Sequence, residues 1–214
     1  MDGILYDSMP KHALAWGMMC DREGIKYEPN EFFAYEGRTG ASTIDILYRR
    51  MYGRNASEEE HKRLYGYKTE YFASMPDVDI MPGAQESVSA VLSYSALPVL
   101  VTGSGQNTLL KRLDNDFPAA FLAEYRVTAH DVSFGKPNPE PFLRGLEKAG
   151  VKCTEAVGID NAPLGVESSS RAGIFTIGVR TGPLAPGSLL ASGADIEINS
   201  MHECAFLLRH LLNR

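Results

Sequence analysis

From residue 98 onward, short apolar runs alternate with helical patterns, and this alternation limits the folds open to the chain more than any other feature. Residues 98–102 (Pro-Val-Leu-Val-Thr), 127–129, 156–160 (Ala-Val-Gly-Ile-Asp) and 175–179 read as strands, with a short edge strand at 195–198. Helical spacing fills 84–94, a stretch from about 107, another through Phe142, Leu143 and Leu146, one ending at Ala172, and 201–212. Strands without polar alternation are buried on both faces, so the pattern predicts βαβ units and an α/β fold built on a parallel sheet. Such a sheet carries its chemistry at the carboxyl ends of its strands, which singles out Thr102, the turn after Ala129 and the turn at Asp160.

Residues 10–77 differ in character: they are helical and charged, with few β-branched runs. Ala13, Trp16, Met19 and Cys20 recur at helical spacing over 11–23, and Gly24 is a stop signal. Pro29-Asn30-Glu31 opens a second helix through Phe32, Phe33 and Tyr35, and the polar run 37–40 interrupts it. A third helix over 42–52 places Ile44, Leu47, Tyr48 and Met51 on one side, and Ser57-x-x-Glu60 is a capping box that starts a fourth, to about Ser74. The expected organisation is therefore a core of residues 1–8 and 78–214 with a helical cap, 9–77, inserted into it.

Composition narrows the partners. The chain has 214 residues, 44% hydrophobic and 22% charged, with a formal net charge of −6. That acidity argues against nucleic acid, which is bound by clustered Lys and Arg. No apolar run reaches the ~18 residues of a membrane span, so no membrane partner is expected. Cys20, Cys153 and Cys204 are an odd set without metal-type spacing, and they imply a reduced, cytoplasmic setting. A monomer is the default for a capped protein whose cap must open and close.

Three segments at predicted strand ends carry chemistry. Thr102-Gly103-Ser104-Gly105 combines hydroxyls with backbone N–H groups at a helix start, a phosphate cradle that also fits an ordinary strand-to-helix turn. It is no dinucleotide fingerprint, since Thr108 stands where the third glycine belongs. Gly135-Lys136-Pro137-Asn138-Pro139 holds a lysine in a proline-stiffened turn, where it either fixes a point charge or is a surface lysine before a helix. Asp160-Asn161 supplies oxygen ligands suited to Mg²⁺, or simply caps the next helix.

With Asp2-Gly3-Ile4-Leu5-Tyr6-Asp7-Ser8 before them, these segments resemble, in order and separation, the four motifs of the haloacid dehalogenase superfamily, with closest likeness to its β-phosphoglucomutase-like branch. The resemblance covers nearly the whole chain. It implies a Rossmann-like core with an α-helical cap, and a Mg²⁺-dependent phosphatase that acts through an aspartyl-phosphate on a small phosphorylated metabolite, plausibly a sugar phosphate. Asp2 would then be the general acid/base and a metal ligand with Asp160 and Asn161. Thr102, Gly103, Ser104 and Lys136 would hold the phosphate, with Thr102 and Lys136 also catalytic. In the cap, His12, Arg38 and Thr39 would meet the substrate. The family's nucleophilic Asp aligns with the position before Met1, so the chain is expected to begin inside the first motif, as a misplaced start site would produce.

Two alternatives stay open. A β-phosphoglucomutase would carry Lys before the cap-loop glycine and Arg three residues after it, where this chain has Thr39 and Thr43 with Arg38 displaced by one position. A truncated, catalytically inactive binding protein is the reading from another class.

Overall fold

A computed structural model describes residues 1–28, 30–104 and 107–213, without the side chains at 107–109. Pro29 and Gly105, used above as a helix opener and a turn glycine, lie outside the described residues.

The cap begins with α1 (Met9–Glu23), which has proline in its first turn and stops at Gly24 in the left-handed region. A four-residue helix, α2 (Glu31–Ala34), is shorter than its aromatic run suggested. α3 (Gly40–Tyr52) starts two residues before the expected 42, because the Thr39 hydroxyl accepts a hydrogen bond from Ser42 N and caps the helix. Ser57 and Glu60 form the expected reciprocal capping box at the head of α4 (Glu58–Ser74). Trp16, Met19 and Cys20 of α1, Ile44, Leu47 and Tyr48 of α3, and Leu64 of α4 close one hydrophobic cluster with Ile25 and Phe32. Met51, expected on that buried face, is 44% exposed: the cluster ends a turn earlier, at Tyr48.

The remainder follows the alternating order: α5 (Ala84–Ser93), β1 (Leu100–Val101), α6 (Asn107–Asp116), β2 (Arg126–Val127), α7 (Glu140–Ala149), β3 (Val157–Asp160), α8 (Pro163–Arg171), β4 (Phe175–Val179), α9 (Ser188–Ala191), β5 (Ile196–Ile198) and α10 (Met201–Leu212). Every strand pair is parallel, and β5 is the edge strand expected of 195–198. α9 has a single buried side chain, Leu189, too little for a periodic signal.

One expectation needs refinement. Among the described residues the ladder falls into two pieces, β1-β2 and β3-β4-β5, rather than one sheet. Residues 1–6 form a tight turn with isolated bridges, in which the Met1 carbonyl accepts from Leu5 N at 2.8 Å and Gly3 N donates to Tyr6 O at 2.9 Å. The two pieces share a core through side chains, because Met1, Leu5 and Tyr6 belong to one hydrophobic cluster with Leu100, Val127, Ile177 and Val179. α10 lies against α5, where the Ser87 hydroxyl donates to Met201 O at 2.8 Å. Gly83 permits this approach: its φ is +88°, and a Cβ there would fall 2.3 Å from His202 N.

Two variants test the cap. Leu47 is fully buried, so Leu47→Ala should cost about 2–5 kcal/mol by chemical denaturation. Ser57→Ala should cost only ~1 kcal/mol through the lost cap. Equal costs for the two would mean that helix ends rather than the shared cluster hold the cap together.

Candidate active site

The cap closes on the strand ends around a cavity of about 90 Å³. The core side is built by three loops and the N-terminal turn. β1 runs into Thr102, whose N–H donates to Val127 O at 2.9 Å and whose hydroxyl accepts from Ser104 N at 3.1 Å. The loop before α7 delivers Lys136, whose Nζ donates to Asp160 Oδ2 at 2.7 Å and to Val101 O at 3.4 Å. Asp160 ends β3, and its Oδ1 accepts from Ala162 N at 3.0 Å. Both side chains of the Lys136–Asp160 pair are more than nine-tenths buried. A buried pair of this kind adds little net stability, yet loss of one partner costs about 3–5 kcal/mol because the other charge is stranded. Gly165 leaves room for the carboxylate, since a Cβ there would lie 2.1–2.2 Å from the carboxyl atoms of Asp160. Gly3 does the same for Asn161, whose side chain sits against it beside Asp2.

The cap side contributes two polar groups, His12 and Lys68, in a chain that leads to Asp2. Asp2 Oδ1 accepts from Ser8 Oγ at 2.5 Å and from His12 Nε2 at 3.1 Å, while His12 Nδ1 lies 2.8 Å from Lys68 Nζ. An ammonium group can only donate, so Nδ1 is the acceptor and the ring proton sits on Nε2, directed at Asp2. Burial on its own would raise the Asp2 carboxyl, but the adjacent His12 and the Ser8 hydroxyl hold it well below the usual carboxylate range. Burial also holds the His12 ring below the ordinary histidine range, against the pull of Asp2. Desolvation pushes the Lys68 ammonium down to about 8, partly offset by Asp2. The His12 ring stacks on Phe72, with centroids 4.4 Å apart, and the ammonium of Lys68 lies over Phe72 and Trp16 at 5.1 and 5.6 Å.

A second cap contact comes from the turn between α2 and α3. Glu36 Oε1 accepts from Asn161 Nδ2 at 2.9 Å, and burial raises its carboxyl to about 8. Arg38 lines the cavity and donates to Ser42 Oγ at 3.3 Å. Thr39 does not line the cavity; its hydroxyl is spent as the α3 cap and its methyl faces Gly135.

The geometry thus brings together Asp2, Thr102, Gly103, Ser104, Lys136, Asp160, Asn161, His12 and Arg38 of the residues expected from sequence, and leaves Thr39 outside. It adds Ser8, Glu36 and Lys68. Lys68 had a legible signal: it stands at i+4 from both Leu64 and Phe72, a lysine inside the buried stripe of α4. Glu36 had none, because a carboxylate in a polar turn is the commonest of surface features.

Asp2, Asp160 and Asn161 line one cavity at the strand ends and carry oxygen atoms of the kind a hard divalent cation prefers. Among the described residues no three His, Cys, Asp or Glu side chains form a complete metal cage.

The relay gives a pH prediction. Because the Lys68 pKa is lowered, its ammonium is lost as pH rises through about 8, and the neutral amine can then either donate to His12 Nδ1 or accept from it. ¹⁵N spectra of His12 should show the Nε2–H tautomer below that pH and a mixture above it, and a mixture at every pH in Lys68→Met. A single tautomer throughout in the variant would mean that Asp2 alone orients the ring.

Comparison with known proteins agrees with this geometry. A family model for haloacid dehalogenase-like hydrolases matches residues 1–179. The solved structure of a Bacteroides vulgatus protein, provisionally named a β-phosphoglucomutase, is 47% identical with a TM-score of 0.94, covering 99% of this chain and 87% of that one. Validoxylamine A 7'-phosphate phosphatase of Streptomyces hygroscopicus subsp. limoneus is 27% identical over 85% of this chain and 83% of its own length. Hexitol phosphatase A of Escherichia coli is 29% identical over 84% and 80%. With parallel strands that lead into Thr102 and end at Asp160, helices 9–74 packed over them and the match over 179 residues, the chain belongs to the haloacid dehalogenase-like hydrolase family.

Proposed function

We propose that the protein is a Mg²⁺-dependent phosphatase of a small phosphorylated metabolite, a sugar or sugar-alcohol phosphate, acting through an aspartyl-phosphate. The observation that carries this reading is the grouping of Lys136, Thr102 and Asp160 around Asp2 at the strand ends, under a closed cap. The validoxylamine A 7'-phosphate phosphatase and the hexitol phosphatase among its relatives support the substrate class.

Each residue has a definable task. Lys136 places positive charge beside the transferring phosphoryl group, while Thr102 and the N–H groups of the following turn orient its oxygens. Asp2, Asp160 and Asn161 would hold Mg²⁺, which supplies charge neutralisation for the phosphate when bound. In the family motif the nucleophilic aspartate stands two positions before the acid/base that Asp2 matches. Asp2, kept ionised by His12 and Ser8, is ready to take a proton from the attacking water. The cavity of about 90 Å³ is well below the ~300 Å³ or more of a ligand pocket. The cap must therefore open to admit a sugar phosphate, and water is excluded when it shuts.

A mutase is the second reading, favoured by the 47% identity to the Bacteroides vulgatus protein. Parallel assays separate the two: phosphate release from hexose and hexitol monophosphates, and conversion of β-glucose 1-phosphate to glucose 6-phosphate. Phosphate release that stops in EDTA and returns with Mg²⁺ is expected, and fast isomerisation with negligible release would overturn the phosphatase assignment. Asp2→Asn should lower kcat/KM by about 10²–10⁴-fold, the usual contribution of an acid/base group.

A further inference from the structure

The outward face of α10 follows from its sequence. His202, Glu203, Phe206, Arg209 and His210 recur at intervals that place them on one side of a helix, and all five are exposed. Met201, Cys204, Ala205 and Leu208 fill the other side and are buried. Phe206 stands at the centre of the outer stripe, 64% exposed, with its ring against that of His210 at a centroid distance of 4.3 Å.

Beside this phenylalanine a groove of about 480 Å³ opens between α10 and the edge strand β5, lined by Ile196, Ile198, His202, Glu203, Phe206 and Leu207. Strand alternation makes its floor apolar. Glu197 turns away to accept from Gly187 N and Leu189 N at the head of α9, which leaves Ile196 and Ile198 facing α10. Among the described residues β5 pairs with β4 alone, so nothing in this chain covers the groove from the strand side.

The charges around the groove identify its occupant. Glu203 stands three residues before Phe206 and Arg209 three residues after it, so the stripe reads acid, aromatic, base. Asn199 N donates to Glu203 Oε2 at 3.1 Å and orients that carboxylate, while Arg209 has no ion pair among the described residues. A base in the last turn suits any helix dipole; what is particular is the equal spacing of opposite charges about the aromatic. A two-fold axis at Phe206, perpendicular to the helix, sets a second α10 antiparallel to the first. Glu203 of each copy then lies beside Arg209 of the other. A partner surface of one sign is repelled at one end of this stripe, whereas a second copy is attracted at both.

We infer that α10 is a homodimer interface, in which two copies of the chain pack their α10 helices antiparallel about Phe206, with each phenylalanine entering the groove of the other copy and two symmetric Glu203–Arg209 ion pairs across the axis. A central aromatic beside an arginine is the composition of an interface hot spot. The dimer differs from the monomer expected of a capped protein, but no residue of the stripe lines the catalytic cavity, which stays outside the interface. The pairing is therefore independent of the phosphatase reading.

Light scattering and sedimentation of the full chain over about a hundredfold range of concentration give the mass and the dimer Kd. The mass should rise toward twice 23.5 kDa. Phe206→Asp, a surface substitution, should raise Kd by more than about tenfold. Glu203→Arg and Arg209→Glu each set like charges together and should each weaken self-association by about tenfold. Mixed in equal amounts, these two variants complement one another at both ion pairs and should form a mixed dimer about as tight as the wild type, which a folding fault in either could not produce. A wild type that keeps the single-chain mass throughout overturns the inference. So does an unchanged Kd in Phe206→Asp, or a mixture of the two charge variants that associates no better than either alone.

Discussion

The ammonium group of Lys136 ties the catalytic end of the molecule together. It reaches β1 through Val101 O and the end of β3 through Asp160, and so spans two pieces of parallel sheet that no ladder joins among the described residues. Away from this end the pieces cohere through two shared hydrophobic clusters, one around Tyr6 and Ile177 and one around Phe142 that takes in Val101 and Ile174. A buried lysine contributes little stability of its own once desolvation is counted. Its effect is to fix the relative positions of two strand ends and, with them, of every loop that faces the cavity.

The cap completes this arrangement electrostatically. The core presents two carboxylates, Asp2 and Asp160, within one small space, and the cap closes with a third, Glu36, among them. Like charges so placed in a poorly solvated cavity would oppose closure. The opposition is limited because Lys136 pairs with Asp160, His12 donates to Asp2, and burial keeps Glu36 largely protonated near neutral pH. Lys68 lends its charge to Asp2 indirectly, through the His12 ring, and so acts as a positioning residue on α4 for a carboxylate in the core. The state of Asp2 thus depends on whether the cap is shut, which couples proton transfer to closure.

Much of this was legible in the sequence. The strands at 156–160 and 175–179 and the helix at 201–212 were readable because burial on both faces, or on one stripe, leaves a run long enough to count. The capping box at Ser57 was readable because its two side chains bond within one turn. β1 and β2 were overestimated, since their flanking residues are apolar for packing and not for pairing. Thr39 was assigned to the substrate from its place in a loop, whereas its hydroxyl satisfies the open N–H groups of α3.

The division follows from range. Local patterning determined the α/β order, the helical insertion and the motif residues Asp2, Thr102, Lys136, Asp160 and Asn161, because each depends on neighbours close in the chain. Only the tertiary structure decided that Glu36 reaches Asn161, 125 positions away, and that Lys68 supports His12 from 56 positions off. Those contacts depend on how the cap docks. The docking is set by shape, by the glycines at 37 and 103 that let two backbones touch, and by the balance of charges buried between them.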